Sequence, residues 1–153
     1  MKFEVMQSLT QILTEEHSQC DQYFVDLEFH VAQAQWDKAQ IELTQFIAAM
    51  EQHLAEEEKI LFPLFEERTG KKMGPTQVMC MEHMQMRQLF QQMHASVEQQ
   101  DQEQFLGESE TLLMLMRQHN AKEEQILYPM LDHIFAGELD NLVAQMRALP
   151  TEN

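Results

Sequence analysis

The 153-residue chain has only four glycines and four prolines, so few positions force a turn or remove a backbone donor. Its two cysteines, Cys20 and Cys80, are too few for a disulfide framework and suit a reducing compartment. Val, Ile and Thr are sparse beside Leu, Met, Gln, Glu and Ala, which leaves little material for a sheet and much for helices. No apolar run approaches the roughly 20 residues that cross a bilayer, and the opening Met1-Lys2-Phe3-Glu4 does not read as an export signal. Cytoplasm is therefore the expected location. Lys and Arg number 10 against 26 Asp and Glu, a formal charge of −16, which argues against nucleic acid and anionic membrane as partners. A chain of this length buries a core as one domain, 1–153, without staples.

What the chain does have, it has twice. Gln52-His53-Leu54-Ala55-Glu56-Glu57-Glu58-Lys59-Ile60-Leu61-Phe62-Pro63 returns as Gln118-His119-Asn120-Ala121-Lys122-Glu123-Glu124-Gln125-Ile126-Leu127-Tyr128-Pro129. The offset that takes His53 to His119 also carries Glu16-His17 onto Glu82-His83 and Phe24 onto Phe90. Each copy holds His-x-x-x-Glu, which puts an imidazole and a carboxylate on one helical face, a turn apart. One such pair is weak as a metal signal. Two in register are strong, each with a lone His at the same interval upstream, His17 before His53 and His83 before His119.

Apolar spacing and breakers predict an all-α protein. A first helix should run from about Ser8, a candidate N-cap, to Gln35. Asp37 is a candidate N-cap for the second. That helix carries Ile41, Phe46, Ile47, Met50, His53 and Glu57, and Pro63 should kink or end it. The stretch from Thr69 to Pro75 reads as a loop, and a third helix spans about Thr76 to Gln99. After a turn at Gln100-Asp101-Gln102, a fourth starts near Glu103 and ends at Pro129 or a few residues later. Gly137 breaks the chain before a short closing helix at about 138–148. The expected architecture is an up-down-up-down four-helix bundle, over about 8–135, with that short C-terminal helix. Residues equidistant from a turn meet at one height in such a bundle. The midpoints between His17, His53, His83 and His119 fall on the three expected turns, so all four lie in one layer, roughly 20–27 Å from the turns.

Four imidazoles and two carboxylates make a poor apolar core, because each polar group needs a partner. A pair of metal ions satisfies them together: His17 and His53 on one, His83 and His119 on the other, Glu57 and Glu123 bridging. Imidazole and carboxylate donors with open positions suit iron best, with zinc or manganese as alternatives. The open positions would take water or a small diatomic.

Over about residues 10–132 the pattern resembles the hemerythrin-like family, the HHE cation-binding domain. The resemblance rests on the two His-x-x-x-Glu-Glu motifs, each followed by Ile-Leu-Phe-Pro or Ile-Leu-Tyr-Pro, and on His17 and the Glu82-His83 pair. It implies a four-helix bundle around a non-haem di-iron centre that binds or senses dioxygen, responds to nitric oxide, repairs iron–sulfur centres or senses iron. Oxygen carriers of the family have five His, two of them spaced His-x-x-x-His on the third helix. Here Met79 and Arg87 flank His83 at that spacing. Those carriers also place the last carboxylate five residues after its His, so Glu124 rivals Glu123. Reversible carriage is thereby weakened, since a site with more open positions could react with dioxygen, peroxide or nitric oxide rather than merely hold them. A binding or sensing role with O2 or NO as ligand is the expectation, and oxidoreductase-type di-iron chemistry stays open beside it. The rival class is a zinc-bound or metal-free helical module that works through a protein partner. A monomer or homodimer fits either.

His30 enters the ligand set only if the first helix bends, while His94 and His133 read as surface or end-of-bundle residues. A Cys20–Cys80 disulfide is out of reach, and both thiols read as filler. The thirteen Met, among them Met79, Met81, Met84, Met86 and Met93, read as adaptable core. Phe62 and Tyr128 are expected to pack beneath the layer.

Overall fold

The computed structural model describes residues 7–150. Of the expected lead-in at 1–8, residues 1–6 lie outside the described residues, as do the final three positions. All regular structure among the described residues is helical.

Helix α1 (Leu9–Ala32) starts at Ser8 as anticipated. The Ser8 hydroxyl accepts from Gln11 N–H, and Gln11 Oε1 accepts from Ser8 N–H, a reciprocal capping box. Asp132, from the far end of the chain, accepts from the amides of Leu9 and Thr10 at 2.7 and 3.2 Å. A carboxylate there satisfies orphan donors at the positive end of the helix. Leu9, Leu13, His17, Cys20, Phe24, Leu27 and Val31 form its buried stripe, so His17 occupies a core position.

Helix α2 (Trp36–Glu56) is preceded by Gln35 as N-cap, not Asp37. Asp37 lies inside the first turn, where its charge favours the helix N-terminus without capping it. The turn before it closes with Ala34 in the left-handed region (φ 55°) and Gln35 N–H bonded to His30 C=O. The turn between α4 (Pro75–Glu98) and α5 (Gln102–Lys122) repeats this at the matching place in the second half, with Gln100 at φ 53° and Asp101 N–H on Ser96 C=O. A Cβ is disfavoured in that conformation. Ala34→Gly and Gln100→Gly are each expected to raise stability by about 0.5–1 kcal/mol, read in chemical denaturation.

The prolines do not end their helices. Glu57–Leu61 forms a π turn, and α3 (Phe62–Thr69) continues from it through Pro63. Glu123–Leu127 forms another, and α6 (Tyr128–Ile134) continues through Pro129. Phe62 N–H reaches Glu57 C=O, and Tyr128 N–H reaches Glu123 C=O, each five residues back. The wider turn takes the carbonyl one turn back away from the proline ring, which removes the clash that stops an α-helix. Gly70 (φ 73°) then closes α3. Helix α7 (Leu139–Arg147) buries Leu142 and Met146.

Helix α1 packs on α2 and α5, and α4 packs on α5 and α2. Two apolar clusters result. One holds Phe24, Leu27, Phe46, Phe90, Phe105 and Leu112, and the other holds Leu9, Leu13, Leu61, Phe65, Leu131 and Met146. The four His and two Glu fall between them on every long helix. Met79, Met86 and Met93 are core, but Met81 and Met84 turn outward and are more than half exposed. No described helix is long and apolar enough to cross a membrane.

Candidate metal centre

Each of the two apolar clusters ends where an inward position carries a polar side chain. His17 from α1, His53 from α2, His83 from α4 and His119 from α5 are all buried, and Glu57 and Glu123 are fully so. They gather as two overlapping groups, His17–His53–Glu57–Glu123 and His83–His119–Glu57–Glu123. Glu57 points one oxygen at His53 Nε2 (3.2 Å) and the other at His83 Nε2 (3.1 Å). Glu123 does the same for His17 (3.0 Å) and His119 (3.1 Å). Each carboxylate thus reaches both imidazole pairs. The π turns begin at these same two glutamates.

The imidazoles are held from outside by glutamates of neighbouring segments. His17 Nδ1 donates to Glu124, His53 to Glu16 and His119 to Glu82, all at 2.7 Å, and His83 to Glu58 at 2.6 Å. Glu16 and Glu82 are repeat equivalents, as are Glu58 and Glu124. With the proton fixed on Nδ1, each Nε2 lone pair faces the interior, the arrangement found behind metal-bound histidines. Glu124, the rival to Glu123, is therefore occupied on the outer side of His17. The sequence offered a signal for these four residues, since each adjoins a layer residue. Neighbours in a helix face different ways, however, and only a second helix gives them a target.

Tyr128 does more than pack beneath the layer. Its hydroxyl lies in the layer, donating to Glu57 or to Glu123 (2.7 Å), and 3.1 and 3.3 Å from His17 and His53 Nε2. Its ring also lies against His17, centroids 5.6 Å apart, much as its repeat partner Phe62 stacks on His83 at 6.0 Å, but Phe62 has no hydroxyl to offer the layer. The two halves of the centre differ in this respect. His30 is remote, bonded to Glu42 at 2.7 Å, and His94 and His133 are exposed. Cys20 and Cys80 are both free.

The donor set has unmet needs that a metal pair would fill. Glu57 Oε1, Glu123 Oε2, His83 Nε2 and His119 Nε2 are buried with no hydrogen-bond partner, and His17 and His53 bring their Nε2 atoms to 3.1 Å of each other. Converging lone pairs and carboxylates in a buried layer repel unless cations lie among them. Bound cations would meet every one of these needs. Without them, protons must serve. Burial alone would depress the pKa of His53, but the Glu57 charge and bonds to Glu16 and Glu57 raise it well above its usual value. Glu57 and Glu58 overcome burial in the same way and lift His83 to about 9. Burial would raise the pKa of Glu57, yet His53 and its other partners hold it well below the usual carboxylate range. Burial first, then Glu57 and Glu123, keeps the Tyr128 phenol protonated.

These directions set a pH dependence for the metal-free chain. A histidine raised from 6.5 to about 9 on folding adds stability that is complete below pH 6.5 and lost as pH rises to about 9. Melting in the presence of chelator should therefore fall steadily between pH 6.5 and 9. A flat profile would show that His83 is not protonated in the folded metal-free state.

The family model described as the hemerythrin HHE cation-binding domain matches residues 8–131. No curated protein and no solved structure matches the chain.

Proposed function

Because the chain belongs to the hemerythrin HHE cation-binding domain family, we propose that its buried layer holds two iron ions and that the protein binds or reacts with dioxygen or nitric oxide. His17 and His53 would take one ion, His83 and His119 the other, with Glu57 and Glu123 bridging. The carrying observation is that each of these carboxylates faces one imidazole from each pair. Neutral nitrogen donors mixed with carboxylate favour iron over softer or harder choices, with zinc or manganese next. Iron held there would supply redox and Lewis-acid chemistry toward a small diatomic.

The chain's own groups favour sensing, stress response or iron-centre repair over simple carriage. Met79 and Arg87 leave His83 without a second helical histidine at four-residue spacing. Tyr128 holds a proton beside His17 and His53, donated to Glu57 or Glu123, and an incoming molecule that displaced that bond would meet a hydrogen-bond donor. The four long helices would form an up-down-up-down bundle within a single domain, 1–153, acting in the cytoplasm as a monomer or homodimer.

The test is metal content and optical spectrum of protein purified without added metal, reduced anaerobically and exposed to dioxygen and then nitric oxide. About two irons per chain, with gas-responsive bands absent from the His53→Ala/His119→Ala variant, are expected. A colourless protein that takes no iron on reconstitution would overturn the reading and favour a zinc-bound or metal-free module acting through a protein partner.

A further inference from the structure

The centre is not closed equally on all sides. A cavity of about 10 Å³ lies against His17, His53 and His119, walled by Met50, Met86 and Met116. Outside it, a groove of about 440 Å³ runs between α1 and α5. Asp21, Met116 and Asn120 line both spaces. Between the His17–Glu124 bond and the Ser109–Glu28 bond, no hydrogen bond or ion pair joins α1 to α5 among the described residues.

The equivalent seam in the other half is bolted. In the repeat, Asp21 corresponds to Arg87, Arg117 to Glu51 and Asn120 to Leu54. There Arg87 Nε donates to both Glu51 oxygens (3.0 and 3.1 Å). Its terminal nitrogens grip Glu58 at 2.9 and 3.1 Å. This fork ties α4 to α2 and to the π turn that follows it, a geometry Arg holds better than any other side chain. On the α1–α5 seam the charges are exchanged, and Asp21 makes no ion pair with Arg117 among the described residues.

We propose that small neutral molecules reach the centre through the α1–α5 seam, past Met116 between Asp21 and Asn120, and that small anions are turned away there. The metal-centre reading is needed only for what binds at the inner end. A cavity of about 10 Å³ holds little more than one water-sized sphere, so a diatomic passes only when Met116 swings aside. Its unbranched thioether, with three rotatable bonds, makes such movement easy. The methionine walls suit an uncharged guest. Asp21 and Glu124 outnumber the one cation, Arg117, in the outer groove of a chain with net charge −16, and the resulting field opposes anions such as azide or nitrite.

Cys20 lines the inner cavity and is 4 % exposed, which gives a probe that needs no metal. In a Cys80→Ser background, methyl methanethiosulfonate should modify Cys20 faster than the anionic sulfonatoethyl reagent, after correction for their rates with free cysteine. The surface pair Asp21→Arg/Arg117→Glu transplants the Arg87 clamp to the α1–α5 seam. It should slow labelling by about tenfold or more, and Met116→Ala should speed it comparably, at unchanged iron content. Nitric oxide association with the iron-loaded, reduced protein should shift in the same directions in stopped flow. Unchanged labelling and association rates in the clamp variant would overturn the route. Labelling that responds while nitric oxide fails to bind would leave the passage standing and sink the di-iron reading.

Discussion

Chelation of the metal-loaded protein is expected to lower its melting temperature by about 15–30 °C, because an ion held at a thousand times its dissociation constant contributes about 4 kcal/mol and each kcal/mol is about 2–4 °C at this chain length. With the two ions proposed above, chelation would leave Glu57, Glu123 and four imidazoles facing one another in a buried layer. Protons on the imidazoles compensate only in part, and less as pH rises. The His53→Ala/His119→Ala variant should melt low with or without chelator. A shift below about 3 °C in the parent protein would mean that hydrogen bonds and protons alone hold the layer.

The second large effect concerns the two carboxylates proposed to bridge the ions. Glu57 faces His53 on one side and His83 on the other, so Glu57→Ala should cost both ions at once. His17→Ala removes a donor from one position only, and about one ion per chain should remain. Glu58→Ala removes a group that orients His83 from outside and should cost about 10–100-fold in affinity with the stoichiometry kept. Metal per chain after gel filtration, together with calorimetric titration, separates the three outcomes. Retention of a full ion by Glu57→Ala would show that Glu57 serves one position rather than two.

The pattern that gathers the layer was legible in the sequence because it depends on two regularities that sequence displays. Helical period places His17 in the stripe of Leu13 and Phe24, and the repeat offset sets His53 against His119 and His17 against His83. Turns chosen from breakers alone put all four at one height. What stayed hidden depends on contacts between helices or on departures from the helical period. Residues five apart lie about 140° round an α-helix, which would turn Tyr128 away from Glu123. The π turn reduces that angle and brings the phenol into the layer. The same turn is why Pro63 and Pro129 interrupt nothing. The outer glutamates show the other limit, since Glu16 serves His53 and Glu82 serves His119 across a helix boundary. Asp37 failed as a cap for a smaller reason: Gln35 already occupied the boundary when Ala34 closed the preceding turn.

The two π turns also bear on ancestry. A π turn holds one residue more than the α turn it replaces, so each amounts to a single inserted residue. Both stand at the same place in their halves, beginning at the Glu of His-x-x-x-Glu, and the left-handed residues Ala34 and Gln100 match as well. One insertion in a half-length ancestor, later doubled within a single gene, explains this with fewer events than two separate insertions. In that ancestor two identical hairpins would have met around a twofold axis, each lending two imidazoles and one carboxylate. Every side chain near the centre then had to serve both halves alike. Tyr128 opposite Phe62, and Asp21 opposite Arg87, became possible only once the copies could mutate apart.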